Sequence, residues 1–272
     1  DCGHGAAYKA TPCTLRELGA DVIVYNNRPD GSNINAECGS LYPEKMCNWV
    51  RENGADIGIA HDGDADRVIL CDENGQLIDG DDIMAIATLE MLAEGSLTQN
   101  TLVSTVMSNA GLDEAINDAG GKVVRTPVGD KHVIDKMLLE GYNFGGEQSG
   151  HLIFGDHAST GDGLVAALQI LRIMTSKQKP LSELAQCWTR FPQKLTNLRV
   201  TEKKPIEELD NVPALMAKAE TALQSDGGRV LLRYSGTEPK VRLLLEGKDT
   251  AQLDHWSEKI ISSIDAQIGA GN

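Results

Sequence analysis

Ala55-Asp56-Ile57-Gly58-Ile59-Ala60-His61-Asp62-Gly63-Asp64-Ala65-Asp66-Arg67-Val68-Ile69-Leu70-Cys71-Asp72-Glu73-Asn74-Gly75-Gln76-Leu77-Ile78 is the stretch from which the rest of the chain is read. The apolar run Ala55–Ala60 predicts a strand that empties into an acidic loop. Arg67–Cys71 and Gln76–Ile78 predict a hairpin closed at Glu73-Asn74-Gly75, because Asn-Gly favours the positive φ angles of a tight turn. Three carboxylates at alternate loop positions can turn their oxygens onto one hard cation. Two readings compete with that one. A solvated acidic turn needs no metal. A calcium-sensing EF-hand would match Glu73 at its last ligand position, but it needs a glycine where Arg67 stands and a helix where Val68-Ile69-Leu70 continues as a strand. The spacing favours Mg²⁺ on Asp62, Asp64 and Asp66.

Outward from this hairpin, strands alternate with helices. Ala6–Leu18 predicts a helix closed by Gly19, Asp21–Tyr25 a short apolar strand, and Glu44–Glu52 a helix ended by Gly54. Downstream, Asp82–Ala93, Gly111–Ala119, Lys131–Glu140 and Gly161–Ser176 predict helices, with strands at Thr101–Met107, Lys122–Val128 and Tyr142–Phe144. This alternation is the pattern of α/β units with mostly parallel strands. From about residue 187 the grammar changes. Strands at Asn197–Val200, Arg229–Arg233 and Val241–Glu246 and helices at Ala214–Leu223 and Ala251–Ile268 predict an α+β layer. The expected organisation is therefore an α/β domain over 1–78 with a metal loop, a second over 79–186, and a C-terminal α+β domain over 187–272.

The chain has 272 residues, 41% hydrophobic and 24% charged, a composition that folds rather than staying disordered. Its formal net charge of −15 argues against non-specific nucleic-acid binding and against anionic membranes, since both need clustered Lys and Arg. An anionic ligand must then be held by local Arg, Lys, backbone amides or metal. No two of the six cysteines have the two-residue spacing of zinc or thioredoxin pairs, which favours reduced thiols and a cytoplasmic setting.

Three further segments carry polar chemistry. Gly145-Gly146-Glu147-Gln148-Ser149-Gly150-His151 lets a backbone approach a ligand closely, with Glu147 and Ser149 able to meet vicinal hydroxyls; a simple polar turn reads equally well. Arg233-Tyr234-Ser235-Gly236-Thr237-Glu238-Pro239-Lys240-Val241-Arg242 gathers hydroxyls, amides and guanidinium groups, the donors that a phosphate dianion requires. Its plain alternative is a basic hairpin on a solvated edge. Lys131, opening a helix after Gly129-Asp130, can reach a substrate oxygen or simply sit in solvent. Dinucleotide, metalloprotease and serine-hydrolase signatures are absent from the sequence.

The acidic loop, the Gly-Glu-Gln-Ser-Gly-His loop and the Arg-Tyr-Ser-Gly-Thr-Glu-Pro loop, in this order, resemble the α-D-phosphohexomutase family over essentially the whole chain. The resemblance implies domains two to four of a four-domain enzyme that moves a phosphoryl group between two hydroxyls of one hexose phosphate, through a phosphoserine and a bisphosphate intermediate. It implies Mg²⁺ on Asp62, Asp64 and Asp66, and sugar hydroxyls on Glu147 and Ser149. It implies the substrate phosphate on Arg233, Ser235, Gly236, Thr237 and Arg242. Arg67, Lys131 and His151 match positions lining the same cleft, as catalytic candidates. Gln148, the opening Asp1-Cys2-Gly3-His4-Gly5-Ala6 and Ser32-Asn33-Ile34-Asn35 look like the amino-sugar branch, which implies a hexosamine phosphate substrate; a mannose or glucose phosphate mutase and a non-catalytic sugar-phosphate module are the alternatives. Two departures stand out. Ala65 replaces a glycine common in the family, and Ala disfavours positive φ. The family's serine loop, Thr-Ala-Ser-His-Asn-Pro-like, has no counterpart, since Ser108-Asn109 runs into Ala110-Gly111. Asp1–Gly5 reads as the end of a strand entering a helix. An N-terminal domain of the same protein is thus the expected partner.

Overall fold

In the computed structural model, which describes residues 1–236 and 238–270, the chain forms two units: Asp1–Ser108 with Ala115–Thr189, and Asn109–Glu114 with Arg190–Asn272.

In the first unit, α1 (Ala7–Glu17) and α2 (Glu44–Asn53) precede the quoted hairpin. Gly54 takes the left-handed conformation (φ 61°) that ends α2. β1 (Ile57–His61), β2 (Val68–Asp72) and β3 (Leu77–Ile78) form an antiparallel sheet in that order, with His61 opposite Val68, so the acidic loop is the connection of a β1–β2 hairpin. All five residues of β2 are buried.

The second sheet has β4 (Thr101–Thr105), β5 (Lys122–Thr126), β6 (Phe144–Gly146) and β7 (Leu152–Phe154) in the order β5-β4-β6-β7. β4 runs parallel to β5 and β6, and β7 turns back antiparallel on β6. Around it lie α3 (Gly80–Glu94), α5 (Asp130–Glu140), α6 (Gly163–Lys177) and the short α7 (Leu181–Leu184), while α4 (Ala110–Asp118) begins within the stretch assigned to the second unit and ends in the first. Every residue of β4 is buried, as expected of a central parallel strand covered on both faces. α3 is buried almost all round, from Ile83 to Thr88, and a capping box between Asp79 and Asp82 satisfies its first amides.

In the second unit, β8 (Gln193–Arg199), β9 (Arg229–Tyr234) and β10 (Lys240–Glu246) pair antiparallel in the order β8-β10-β9. α8 (Val212–Gln224) and α9 (Thr250–Ile268) share one core with the sheet. Val241, Leu243 and Leu245 of β10 alternate into that core with Leu223 of α8 and Ile260 and Ile264 of α9. Period-two strands over period-3.6 helices make the α+β layer expected from the sequence.

The α/β and α+β class is as expected, with local differences. Asp21–Tyr25, predicted as a strand, belongs to no ladder among the described residues; Cys2 and His4 donate to Tyr25 and Asn26 carbonyls at 3.1 and 2.7 Å. Apolar side chains alone do not make a strand, which needs a neighbour along its length. The mostly parallel pattern holds for the second sheet, whereas the described strands of the first are antiparallel. β7 and α7 are too short to carry a periodic signal and were not predicted. Among the described residues no helix is long and apolar enough to cross a membrane.

Candidate functional site

The acidic loop is built by β1 and β2 as a crowded carboxylate cluster. Candidate ligand oxygens of Asp62, Asp64 and Asp66 lie within 4.8 Å of one another, with Asp62 buried, Asp66 half-buried and Asp64 exposed. The Arg67 N–H donates to Asp62 Oδ1 at 3.1 Å, and its Nε lies 4.0 Å from Asp62 Oδ2 and 3.9 Å from Asp66 Oδ1. Burial first, then the neighbouring Asp66 and Asp64, push the Asp62 carboxyl up to about 7. Asp66 Oδ1 and Arg67 Nε are buried without a hydrogen-bond partner. A buried orphan oxygen beside two further carboxylates suits a small divalent cation with oxygen ligands. Ala65 adopts φ 64°, the left-handed region that the sequence suggested this position would need.

Behind the loop, His61 is buried, its Nε2 3.0 Å from Thr11 Oγ1. Burial lowers its pKa to about 4, so the ring is neutral at pH 7 and adds no positive charge behind the carboxylates.

The glycine-rich loop connects β6 to β7 and reaches the acidic loop from across the first unit. His151 Nδ1 sits 3.1 Å from Asp66 Oδ2, Arg67 and His151 form a β-bridge, and Val68 N–H donates to the Gly150 carbonyl at 3.0 Å. Gly150 is required there: its φ is 90°, and a Cβ would collide with the Val68 carbonyl. His151 is only 2% exposed, packed so that its ring fills the space a side chain at Gly161 would take. The side chain expected to line a cleft therefore faces inward and braces Asp66. Glu147 is also buried, and its Oε1 accepts the Gly129 N–H at 2.9 Å. This bond ties the loop to the turn ahead of α5, where Lys131 is exposed. Ser149 is exposed at the loop tip.

In the second unit, β9 and β10 deliver the basic loop. Arg233 lies directly opposite Arg242 in the ladder, a like-charge pair that is unfavourable unless an anion lies between or beside them. Ser235 is buried and its hydroxyl accepts the Glu238 N–H at 3.4 Å, while Gly236 is exposed. Lys203 Nζ donates to the Ser235 carbonyl at 2.6 Å. The Glu238 carboxylate takes Lys240 Nζ at 2.7 Å and Arg242 Nη2 at 3.3 Å, and Lys240 first, then Arg242, hold its pKa below the usual range. Thr237 lies outside the described residues.

Two participants were not singled out from the sequence. Glu238 stood inside the quoted loop; its spacing to Lys240 and Arg242 across a turn is a visible signal of a carboxylate set against both cations. Gly80 seats the glycine-rich loop: its N–H donates to the Gln148 carbonyl at 3.0 Å and a Cβ would collide with the Glu147 carbonyl. A glycine opening a helix is the available signal, since glycine is otherwise a poor choice there.

Three family models match consecutive parts of the chain: phosphoglucomutase/phosphomannomutase alpha/beta/alpha domain II over residues 1–75, alpha/beta/alpha domain III over 79–191, and the C-terminal domain over 195–263. Phosphoglucosamine mutases of Geobacter sp. (strain M21) and Geobacter metallireducens are 54% and 55% identical over 269 residues, 99% of this chain and 59% of each relative. The chain thus spans about 59% of the length of these relatives. Among solved structures, a phosphoglucomutase/phosphomannomutase family protein from Burkholderia thailandensis superposes with a TM-score of 0.79 at 23% identity, over 98% of this chain and 59% of that one. Aspergillus fumigatus N-acetylphosphoglucosamine mutase, in complex with GlcNAc-6P and magnesium, superposes with a TM-score of 0.70 at 24% identity, over 97% of this chain and 60% of that one.

Proposed function

Because this chain belongs to the phosphoglucomutase/phosphomannomutase family, we propose that it supplies the metal-, sugar- and phosphate-binding parts of a phosphoglucosamine mutase, which interconverts glucosamine 6-phosphate and glucosamine 1-phosphate. The observation that carries this reading is the Asp62–Asp64–Asp66 cluster, joined through the Asp66–His151 contact at 3.1 Å to the loop bearing Glu147 and Ser149. Identity above 50% to phosphoglucosamine mutases favours the amino-sugar substrate over mannose or glucose phosphates.

Asp62, Asp64 and Asp66 would hold Mg²⁺, which when bound supplies positive charge against the oxygens of the transferring phosphoryl group. The remaining work falls to the chain's own residues. The Arg67 amide fixes the rotamer of Asp62, and His151 fixes that of Asp66. Glu147, held by the Gly129 amide, and Ser149 read two sugar hydroxyls. Arg242, Arg233, Ser235, Gly236 and Thr237 grip the phosphate that is not reacting. Holding a remote group in this way orients the reacting hydroxyl. Lys131 is exposed beside the Gly129 turn, and its neutral amine would relay the proton between sugar hydroxyl and serine oxygen better than the buried His151. In this reading the phosphoryl donor is a phosphoserine that these residues do not include. Its phosphoryl group passes to one sugar hydroxyl while that hydroxyl's proton ends on the freed serine oxygen, and in the return step the substrate's other phosphoryl group passes to the serine oxygen while the serine proton ends on the freed sugar oxygen. The setting is cytoplasmic amino-sugar nucleotide synthesis for cell-wall precursors.

Calorimetry tests this reading. Mg²⁺ should bind the chain and lose its heat in Asp64→Asn, and glucosamine 6-phosphate should bind more tightly than mannose 6-phosphate. Equal Mg²⁺ heats for parent and variant would remove the metal site. A preference for mannose 6-phosphate would move the reading to a mannose phosphate mutase.

A further inference from the structure

Lys203 stands outside the basic loop in sequence and touches it in space. The segment after β8 reaches the end of β9, where the Lys204 carbonyl accepts the Tyr234 hydroxyl at 2.6 Å and Lys203 Nζ donates to the Ser235 carbonyl at 2.6 Å. The neighbouring Lys204 pairs with Glu202 at 3.0 Å, as a surface lysine of an acidic chain is expected to do. Lys203 instead pairs with no carboxylate among the described residues and places its ammonium on a backbone carbonyl. The Ser235 N–H is itself bound, to the Lys240 carbonyl at 2.8 Å, so both backbone groups of Ser235 are held. The peptide that follows is trans, and in a trans peptide the N–H points opposite to the C=O. With the Ser235 carbonyl turned to Lys203, the Gly236 N–H points away from Lys203 and meets no acceptor among the described residues. A Cβ at Gly236 would meet open space. The Lys203 bond thus leaves an unpaired donor turned outward in the loop proposed to hold a phosphate.

Resting on that reading of the loop, we propose that Lys203 is a positioning residue of the phosphate site: its ammonium holds the Ser235–Gly236 peptide in the orientation that presents the Gly236 N–H to the substrate's phosphate. The peptide needs such a hold. Turning it over changes ψ of Ser235 and φ of Gly236, and glycine accepts either sign of φ, so the flipped peptide costs little by itself. The flipped form points the Ser235 carbonyl oxygen outward, where it repels a dianion. A cation on that oxygen selects the productive form. It also polarises the peptide, which makes the N–H at its other end a stronger donor. The Glu238 carboxylate pairs with Lys240 and Arg242, whereas Lys203 has no such counterion, so its charge adds to the positive field at the loop. The role is invisible in the loop's own sequence, because Lys203 lies 32 positions before Ser235.

The test compares Lys203→Met, which removes the ammonium and keeps the bulk of the side chain, with Lys203→Arg, which keeps a cationic donor. Inorganic phosphate and glucosamine 6-phosphate are titrated into the intact chain by calorimetry, and the Gly236 amide is followed by NMR. In the parent the Gly236 amide proton should move downfield as either ligand saturates. Lys203→Met should weaken both ligands by about threefold to tenfold, the worth of one oriented hydrogen bond. It should also lose most of the Gly236 shift at saturation, with Mg²⁺ binding unchanged. Lys203→Arg should bind within about twofold of the parent and recover the shift. If the methionine variant does not fold, Lys203→Ala is judged by the same criteria. Parent-like affinity in Lys203→Met would overturn the proposal. So would a parent-like Gly236 shift in that variant, since Lys203 would then act elsewhere than on the peptide. An arginine variant as weak as the methionine one would overturn it too, because the lysine stem rather than its charge would be the cause. Affinity lost in Arg242→Ala but kept in Lys203→Met would overturn the role of Lys203 alone. A parent whose Gly236 amide ignores both ligands would overturn the phosphate assignment of the loop along with it.

Discussion

Asp62 and Ala65 show how much a single position in the acidic loop costs the fold. The Asp62 carboxyl is pushed up to about 7, chiefly by burial, from an ordinary carboxylate value near 4. Between those values the folded chain holds a proton that the unfolded chain has released, so stability falls as pH rises from about 4 to about 7. Asp62→Asn, which mimics the neutral acid, should therefore melt with the parent near pH 4 and above it at pH 8 when no metal is present. Saturating Mg²⁺ should reverse the order at pH 8, because only the parent gains binding energy. Thermal melts across pH with and without Mg²⁺ check both halves; a parent as stable as the variant at pH 8 without metal would count against the crowded cluster. Ala65 holds φ 64°, an unfavourable region for a residue with a Cβ. Ala65→Gly should stabilise by about 0.5–1 kcal/mol, offset in part by the freer unfolded chain. That amounts to a midpoint raised by about 1–3 °C. A lower midpoint would mean that the Ala65 methyl packs usefully.

At the scale of elements, the β9–β10 hairpin and the β6–β7 loop each hold one half of the proposed ligand chemistry. In the hairpin, the single Glu238 carboxylate pairs with both Lys240 and Arg242 while Arg233 faces Arg242 across the ladder, so the cluster keeps a net positive charge. The chain as a whole is strongly acidic, so binding of an anion there rests on these local cations rather than on the long-range field. Arg242→Ala should weaken glucosamine 6-phosphate binding by about tenfold to a hundredfold, the worth of one or two charge-assisted hydrogen bonds. The midpoint without ligand should stay within about 0.5 kcal/mol in stability, because Arg242 is partly exposed and its ion pair is a surface one. Titration calorimetry and melting together distinguish a ligand-binding arginine from a structural one. In the first unit, His151→Ala should loosen Asp66 and lower Mg²⁺ affinity while leaving the pH dependence of sugar-phosphate binding unchanged. A shift in that dependence would restore His151 as a group that meets the ligand.

For the whole molecule, the 272 residues should show no mutase turnover by themselves. The proposed sugar, metal and phosphate contacts fall on named residues, whereas none of these residues is proposed as the phosphoryl donor. Highly purified chain that interconverts glucosamine 6-phosphate and glucosamine 1-phosphate would refute this. Sequence reading recovered most of the secondary structure because its signals are local: Asn-Gly closed the β2–β3 turn, Gly54 ended α2, and strands and helices of an α+β pattern were legible in β8–β10, α8 and α9. The acidic and basic loops were legible for the same reason, since carboxylates at alternate positions and cations two apart converge through loop geometry alone. The sequence by itself thus singled out the residues proposed to carry the chemistry. It did not determine which of them face a ligand. Asp66 and His151 are 85 positions apart and meet only because Arg67 bridges to His151 beside β2. That meeting buries a histidine that its motif suggested was exposed. Asp21–Tyr25 has the composition of a strand and stays irregular because a ladder needs a partner, which composition does not supply. Burial and pairing are non-local properties, set when segments distant in the chain pack together, and those were left to the tertiary structure.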